Sequence, residues 1–218
     1  MQELTLIQKL IVWIPPVLLA ITLHEVAHGW VALQFGDPTA KTLGRLSLNP
    51  LRHVDPIGTV LLPLVLFFLG GFIFGWAKPV PVDLSRVPRP RHAMVWVALA
   101  GPAANVAMAL VWALLLKLGL TLAPVLGWAG LPLYYMGVAG ISINVVLAAL
   151  NLLPIPPLDG SKVLMGILPP RLAWRMARLE PYGMLIVLLL LALGWLPLLL
   201  GPIIHFLHLI LSLLLGNA

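Results

Sequence analysis

The chain has 218 residues, of which 61% are apolar and only 9% charged, where an ordinary soluble domain carries about 25% charged residues. That balance excludes a soluble globular domain and points to an all-α polytopic membrane protein, whose net charge of +6 marks loops that set orientation rather than a nucleic-acid surface. The absence of cysteine excludes disulfides and thiolate metal sites and leaves His, Asp and Glu as the strong metal ligands.

A helix needs about 20 apolar residues to span a bilayer. The first apolar run covers residues 6–35 and contains Pro15-Pro16 and His24-Glu25-Val26-Ala27-His28. It is expected to be a retained span, because a discarded leader has no use for three clustered ionisable side chains. The second run, 57–76, contains Gly70-Gly71, and the third, 93–118, contains Gly101-Pro102. The fourth starts near Leu133 and continues through Asn151 to about residue 168, broken by Pro154, Pro156 and Pro157. Residues 172–179 read as a short interfacial helix with basic residues on one face. The last block, 182–215, is too long for one untilted span. Breaks are expected at Pro197 and Gly201-Pro202, and one bent helix and a hairpin are both open.

Basic residues sort the loops. Residues 36–56 carry Lys41, Arg45 and Arg52; 77–92 carry Lys78, Arg86, Arg89 and Arg91; 169–181 carry Arg171, Arg175 and Arg178; 119–132 carry no charge. The excess of Lys and Arg in cytoplasmic loops places the first three inside. Since 57–76 has basic loops at both ends, it is expected to be a re-entrant hairpin turning near Gly70-Gly71; the alternative is a full span with one loop violating the rule. Residues 77–83 alternate apolar residues with prolines and read as an extended edge strand, in which Val80 is a candidate for substrate contact.

His24 and His28 are four apart, so they share one helix face and both imidazoles can reach one Zn²⁺. Glu25 beside them is placed to act on a zinc-bound water, the arrangement of the HExxH pattern. A catalytic zinc needs a third protein ligand and an open position. Among the acidic residues only Asp159 lies in a strongly apolar region at a proline-broken helix; it is also placed to cap the helix that follows. His53 and Asp55 could line a cleft, orient a ligand or bind a second ion, or form a polar loop that caps the next segment. Asn144 could face the cleft or hydrogen-bond another helix. His205 and His208, three apart, could share a metal, but a helix-interface pair is the preferred reading.

Three motifs, HEVAH (24–28), GPAAN (101–105) and NLLPIPPLDG (151–160), resemble in kind and order those of the site-2 protease family of intramembrane zinc metalloproteases. LNPLRHVDPIG (48–58) and FGWAKPVPVD (74–83) are similar to its compact bacterial and archaeal branch, without PDZ or CBS domains. The resemblance covers the chain from the first helix to about residue 168, a core at 6–168; with the apolar C-terminal membrane segment at 182–215 the chain reads as a single domain over 1–218. The resemblance implies one catalytic Zn²⁺ held by His24, His28 and Asp159, and Glu25 as general base. Asn151 would hold substrate or the oxyanion, Asn105 would support the site, and Gly101-Pro102 would allow close helix packing. The implied partners are transmembrane protein substrates and the lipid bilayer; the basic loops around the motif place the active site toward the cytoplasmic side of the cell membrane. A membrane metal transporter and a non-catalytic regulatory homologue are the competing readings.

Overall fold

Thr5 starts the first helix with a reciprocal cap: its side chain accepts from the Gln8 N–H, and the Gln8 side chain accepts from the Thr5 N–H. The helix, α1, then runs Leu6–Gln34 through Pro15 and Pro16. The structure, a computed structural model, describes residues 5–62, 65, 75–126 and 130–215. Within these follow a short α2 (Thr39–Thr42), the long α3 (Pro90–Leu126), α4 (Gly130–Leu152), α5 (Asp159–Ile167), α6 (Pro170–Ala177), α7 (Glu180–Ala192) and α8 (Trp195–Leu215). Helices α1, α3, α4 and α8 are long and apolar enough to cross a membrane. Large apolar side chains such as Ile7, Trp30, Leu114 and Leu213 point outward and are exposed, while Thr22, His24, His28, Asn105, Asn144 and Asp159 are buried. This inside-out distribution suits a bundle surrounded by lipid.

Helix α3 packs against α1, α4 and α5 and forms the centre of the bundle. Its contact with α4 depends on small residues: a Cβ at Gly140 would lie 2.2 Å from the Trp112 ring, and one at Gly137 2.6 Å from Leu116 Cβ. Polar groups join the same helices at depth. Asn105 on α3 donates to Ala20 O on α1 (3.2 Å) and to Asn144 Oδ1 on α4 (2.9 Å), and Asn144 donates to Gly140 O (2.8 Å). Asn144 is thus an interhelical link rather than a cleft residue.

Two expectations are corrected. The final apolar block breaks at neither proline site; it divides into α7 and α8 at Leu193–Gly194, where Gly194 has φ +72°. A glycine takes this left-handed conformation at little cost and so ends a helix, whereas Pro197 sits in the first turn of α8, where its missing N–H is not needed. Residues 77–83 form no regular element, and no strand occurs among the described residues. Pro79 and Pro81 remove the N–H groups that a ladder would use.

The hairpin expected around Gly70-Gly71 lies outside the described residues, but the two ends of its segment lie side by side. Trp76 N–H donates to Gly58 O (3.1 Å) and Thr59 Oγ1 donates to Trp76 O (2.9 Å). A Cβ at Gly58 would lie 2.3 Å from the Trp76 ring. The loops on either side are also tied directly, since Arg45 Nη2 donates to Lys78 O (2.9 Å). Arg91 of the second loop also donates to Met165 O (3.1 Å) and to Leu168 O, at the helix end from which the third basic loop departs. All three basic loops therefore gather at one end of the bundle.

Candidate metal centre

The one-turn spacing on α1 brings the His24 and His28 Nε2 atoms to 3.1 Å from each other. Helix α5 begins at Asp159, directly after the N-cap residue Leu158. The Asp159 carboxylate turns to α1, with Oδ2 3.2 Å from His24 Nε2 and 3.1 Å from His28 Nε2. The three atoms form a nearly equilateral triangle. Ligands at about 2.0–2.1 Å in a tetrahedral zinc site stand roughly 3.3 Å apart, so the triangle is the size of one tetrahedral face. Among the described residues this is the one group of three or more His, Cys, Asp or Glu side chains able to hold a metal.

The surroundings fix which atoms offer lone pairs. Asn105 has both its amide donations committed to carbonyl-type oxygens, so its Oδ1 faces His24 Nδ1 at 2.6 Å as acceptor. His28 Nδ1 lies 2.6 Å from Val97 O, which can only accept. Both imidazoles therefore carry their proton on Nδ1, and both Nε2 lone pairs point at the same place. Asp159 Oδ2 is buried with no hydrogen-bond partner. With both imidazoles neutral, two nitrogen lone pairs and a carboxylate oxygen converge on one place, a donor set that fits zinc. Replacing Asn105 with Leu is expected to lower zinc affinity by about 10–100-fold, the usual effect of losing the group that orients a metal-binding histidine. Competition with a chromophoric chelator measures it.

Glu25 lines the same cleft, a space of about 580 Å³ shared with His24, His28, Asp159, Val80 and Asn151. Its Oε2 accepts the Val80 N–H at 2.8 Å. Asn151 donates from Nδ2 to Leu147 O on its own helix (3.0 Å). Asn105 lies behind His24, not in the cleft. His53 is not a cleft residue either: it is fully buried, with Nε2 on Ser47 O (2.9 Å), and its carbonyl accepts Lys78 N–H. Asp55 caps the next turn through Ile57 and Gly58 N–H. His205 and His208 are exposed on α8, and among the described residues neither belongs to a group able to hold a metal.

Three participants escape sequence reading. Lys162 lines the cleft with Nζ 3.5 Å from Asp159 Oδ1; its i+3 spacing from Asp159 was the available signal. The Val97 carbonyl has no side-chain signature. Asp37 is fully buried beyond the end of α1, where it accepts from Thr39 N (2.9 Å), Thr39 Oγ1 (2.5 Å) and Asp83 N (2.7 Å); an Asp followed two residues later by Thr suggested the local turn only. Burial pushes the Asp37 carboxyl up, but the donors from Thr39 and Asp83 outweigh it and hold the group below the usual carboxylate range. Its stabilising contribution is therefore complete above the ordinary Asp value near 3.9 and is lost as pH falls through the lower folded value.

No protein-family model and no solved structure matches the chain. Among curated proteins it is 40% identical over 177 residues to "Putative zinc metalloprotease YwhC" of Bacillus subtilis, covering 79% of this chain and 76% of that protein. It is 36% identical over 176 residues to "Putative zinc metalloprotease Rip2" of Mycolicibacterium smegmatis, covering 80% of this chain and 64% of that protein, just under two thirds of the relative's length. A shorter match, 48% over 68 residues, reaches "Putative zinc metalloprotease MJ0611" of Methanocaldococcus jannaschii. With such identity and coverage, and with two histidines and an aspartate converging at the heart of its helices, the chain belongs to the family of zinc metalloproteases that these relatives represent.

Proposed function

We propose that the protein is an intramembrane zinc endopeptidase of the site-2 protease type, which cuts membrane-spanning segments of other membrane proteins. The observation that carries this reading is the position of the donor set: His24 and His28 lie within a helix long and apolar enough to span the bilayer, with Glu25 on the same cleft. A site at that depth serves a substrate that is itself in the membrane.

When bound, zinc lowers the pKa of a water to about 7 and polarises a carbonyl. His24, His28 and Asp159 would hold it on one side of the cleft. Glu25 is the base: Val80 N–H fixes Oε2, and Oε1 takes up the proton and later returns it to the leaving amine. Asn151 Nδ2 carries a second hydrogen beyond the one given to Leu147 O, and it serves a substrate oxygen. Residues 77–83 lie along the cleft and accept an unwound substrate stretch beside them, with Val80 against its backbone. This satisfies peptide groups that lipid cannot.

The basic loops gathered at one end of the bundle support an active site opening toward the cytoplasm. The polytopic chain would then reside in the cell membrane with its C-terminal segment 182–215 beside the 6–168 core, as one domain over 1–218.

The test is cleavage of a reconstituted transmembrane substrate by wild type and Glu25→Gln, with bound zinc measured in both. Glu25→Gln is expected to retain its zinc while cleavage falls by at least about 10²–10⁴-fold. Unchanged cleavage in the variant rules the mechanism out. Zinc flux into vesicles without cleavage by wild type points to a transporter, and zinc retention with neither activity points to a regulatory homologue.

A further inference from the structure

The segment that supplies Val80 to the cleft is seated at three points, two on α1 and one just beyond its end. Val80 N–H meets Glu25 Oε2 at 2.8 Å. One turn further along α1, Gly29 leaves room for the Val80 side chain, since a Cβ there would lie 2.8 Å from Val80 Cγ1. Beyond the helix end, Asp37 Oδ2 accepts Asp83 N–H at 2.7 Å. The segment thus runs beside the last third of α1 in the same direction, from Glu25 toward Asp37. Its upstream end is held separately, by Gly58, Thr59, His53 and Arg45.

The two oxygens of Asp37 divide the work. Oδ1 takes both donors of Thr39 and closes a local turn, while Oδ2 takes Asp83 N–H, 46 positions away in sequence. The carboxylate is completely buried, and a buried charge is retained only where donors compensate it. A local turn needs one acceptor, and an Asn supplies it. The second oxygen is what a carboxylate adds, and here that oxygen holds the cleft segment.

We propose that Asp37 is a positioning residue for the cleavage step: through Asp83 it sets Val80 against α1 and so fixes the carboxylate of Glu25. The inference rests on the proteolytic reading for its effect on rate, but not for its effect on structure.

The chain contains no cysteine, so a single Val80→Cys in the full-length protein gives a clean probe. Val80 is 8% exposed and is expected to react slowly with a water-soluble maleimide. Adding Asp37→Asn keeps the Thr39 turn but sets an amide N–H against Asp83 N–H. It is expected to speed labelling by about tenfold, the worth of one charge-assisted hydrogen bond. Thr39→Ala, which removes a donor to Oδ1 and spares Oδ2, leaves the labelling rate at that of Val80→Cys alone. With residue 80 left as Val, Asp37→Asn lowers kcat by about tenfold with KM nearly unchanged and zinc content intact.

Equal labelling with and without Asp37→Asn overturns the proposal, and so does an effect of Thr39→Ala as large as that of Asp37→Asn. Loss of zinc alongside kcat assigns Asp37 a merely structural role and also overturns it. If Asp37→Asn does not fold, Asp83→Pro deletes the same N–H from the other partner. It is expected to raise labelling and lower kcat alike, and no change in either sinks the idea. If wild type cleaves no substrate, the proteolytic reading fails while the labelling still decides whether Asp37 holds the segment.

Discussion

Gly101→Ala is expected to abolish zinc binding, although it adds a single methyl group. A Cβ at Gly101 would lie 2.5 Å from His24 Cε1, 2.5 Å from His28 Nε2 and 2.6 Å from His24 Nε2. Heavy atoms do not tolerate such separations, so α3 or the imidazoles must move. The imidazoles are poorly free to do so: His24 Nδ1 is bound to Asn105 and His28 Nδ1 to Val97 O, and these partners lie on α3 itself. Displacing α3 therefore carries both supports away together. Overpacking of this kind costs about 1–3 kcal/mol in fold stability, and a shift of about 1 Å in reacting groups costs roughly 10²-fold in rate. The expected result is a folded protein with less than a tenth of the wild-type zinc content and no measurable cleavage. Gly201→Ala is the control: a Cβ there meets nothing within 4 Å, so zinc content and activity remain at wild-type level. Metal analysis of the two purified variants side by side decides the matter. Zinc content at the wild-type level in Gly101→Ala refutes the steric account.

Gly101 also shows how far the sequence reaches. Its pairing with Pro102 indicated close helix packing, yet nothing in the chain specified that the close partners are the two imidazoles. The three candidate metal donors were legible, because an i,i+4 pair follows from helical geometry and Asp159 was the one acidic residue in an apolar, proline-broken region. The local reading of Asp159 as a helix cap was equally consistent with spacing, and only the tertiary turn toward α1 separates the two. Asn105 and Asn144 were visible as polar residues at depth and both link helices, but only Asn105 also meets the His24 ring, and that depends on which groups each amide meets. The long helices were readable from apolar runs. Their ends were not: α3 continues to Leu126 where hydropathy suggested 118, and the C-terminal block breaks at a glycine conformation instead of its prolines. Contacts made by backbone atoms, such as Val97 O on His28 and Val80 N–H on Glu25, leave no trace in residue type. The same holds for His53, whose motif drew attention as a cleft candidate but whose Nε2 meets Ser47 O, whose Nδ1 is buried, and whose backbone braces Lys78.

Asp159 allows ligand identity to be separated from ligand placement. Asp159→Asn keeps the shape of the side chain and the start of α5 but replaces an anionic oxygen with a neutral amide, leaving two imidazoles as the only strong donors. Its zinc affinity is expected to fall by more than the roughly 100-fold that marks the upper end for losing a supporting hydrogen bond. Gly160→Ala keeps the carboxylate but moves it. A Cβ at Gly160 would lie 2.3 Å from Leu152 O and 2.5 Å from Leu153 O, both backbone atoms at the end of α4, so the first turn of α5 cannot dock and Asp159 withdraws from the histidines. Both variants lose zinc, by different routes, and thermal denaturation tells them apart. At zinc about 100-fold above the dissociation constant, wild type gains about 2.7 kcal/mol from binding. Neither variant is expected to show that gain. Without zinc, Asp159→Asn is expected to unfold near the wild-type midpoint, since its packing is unchanged, whereas Gly160→Ala is expected to unfold at a lower temperature because the clash is present with or without metal. If Asp159→Asn instead shows the full zinc-dependent rise, the carboxylate is not a ligand, and the triangle of two imidazole nitrogens and one carboxylate oxygen has another purpose.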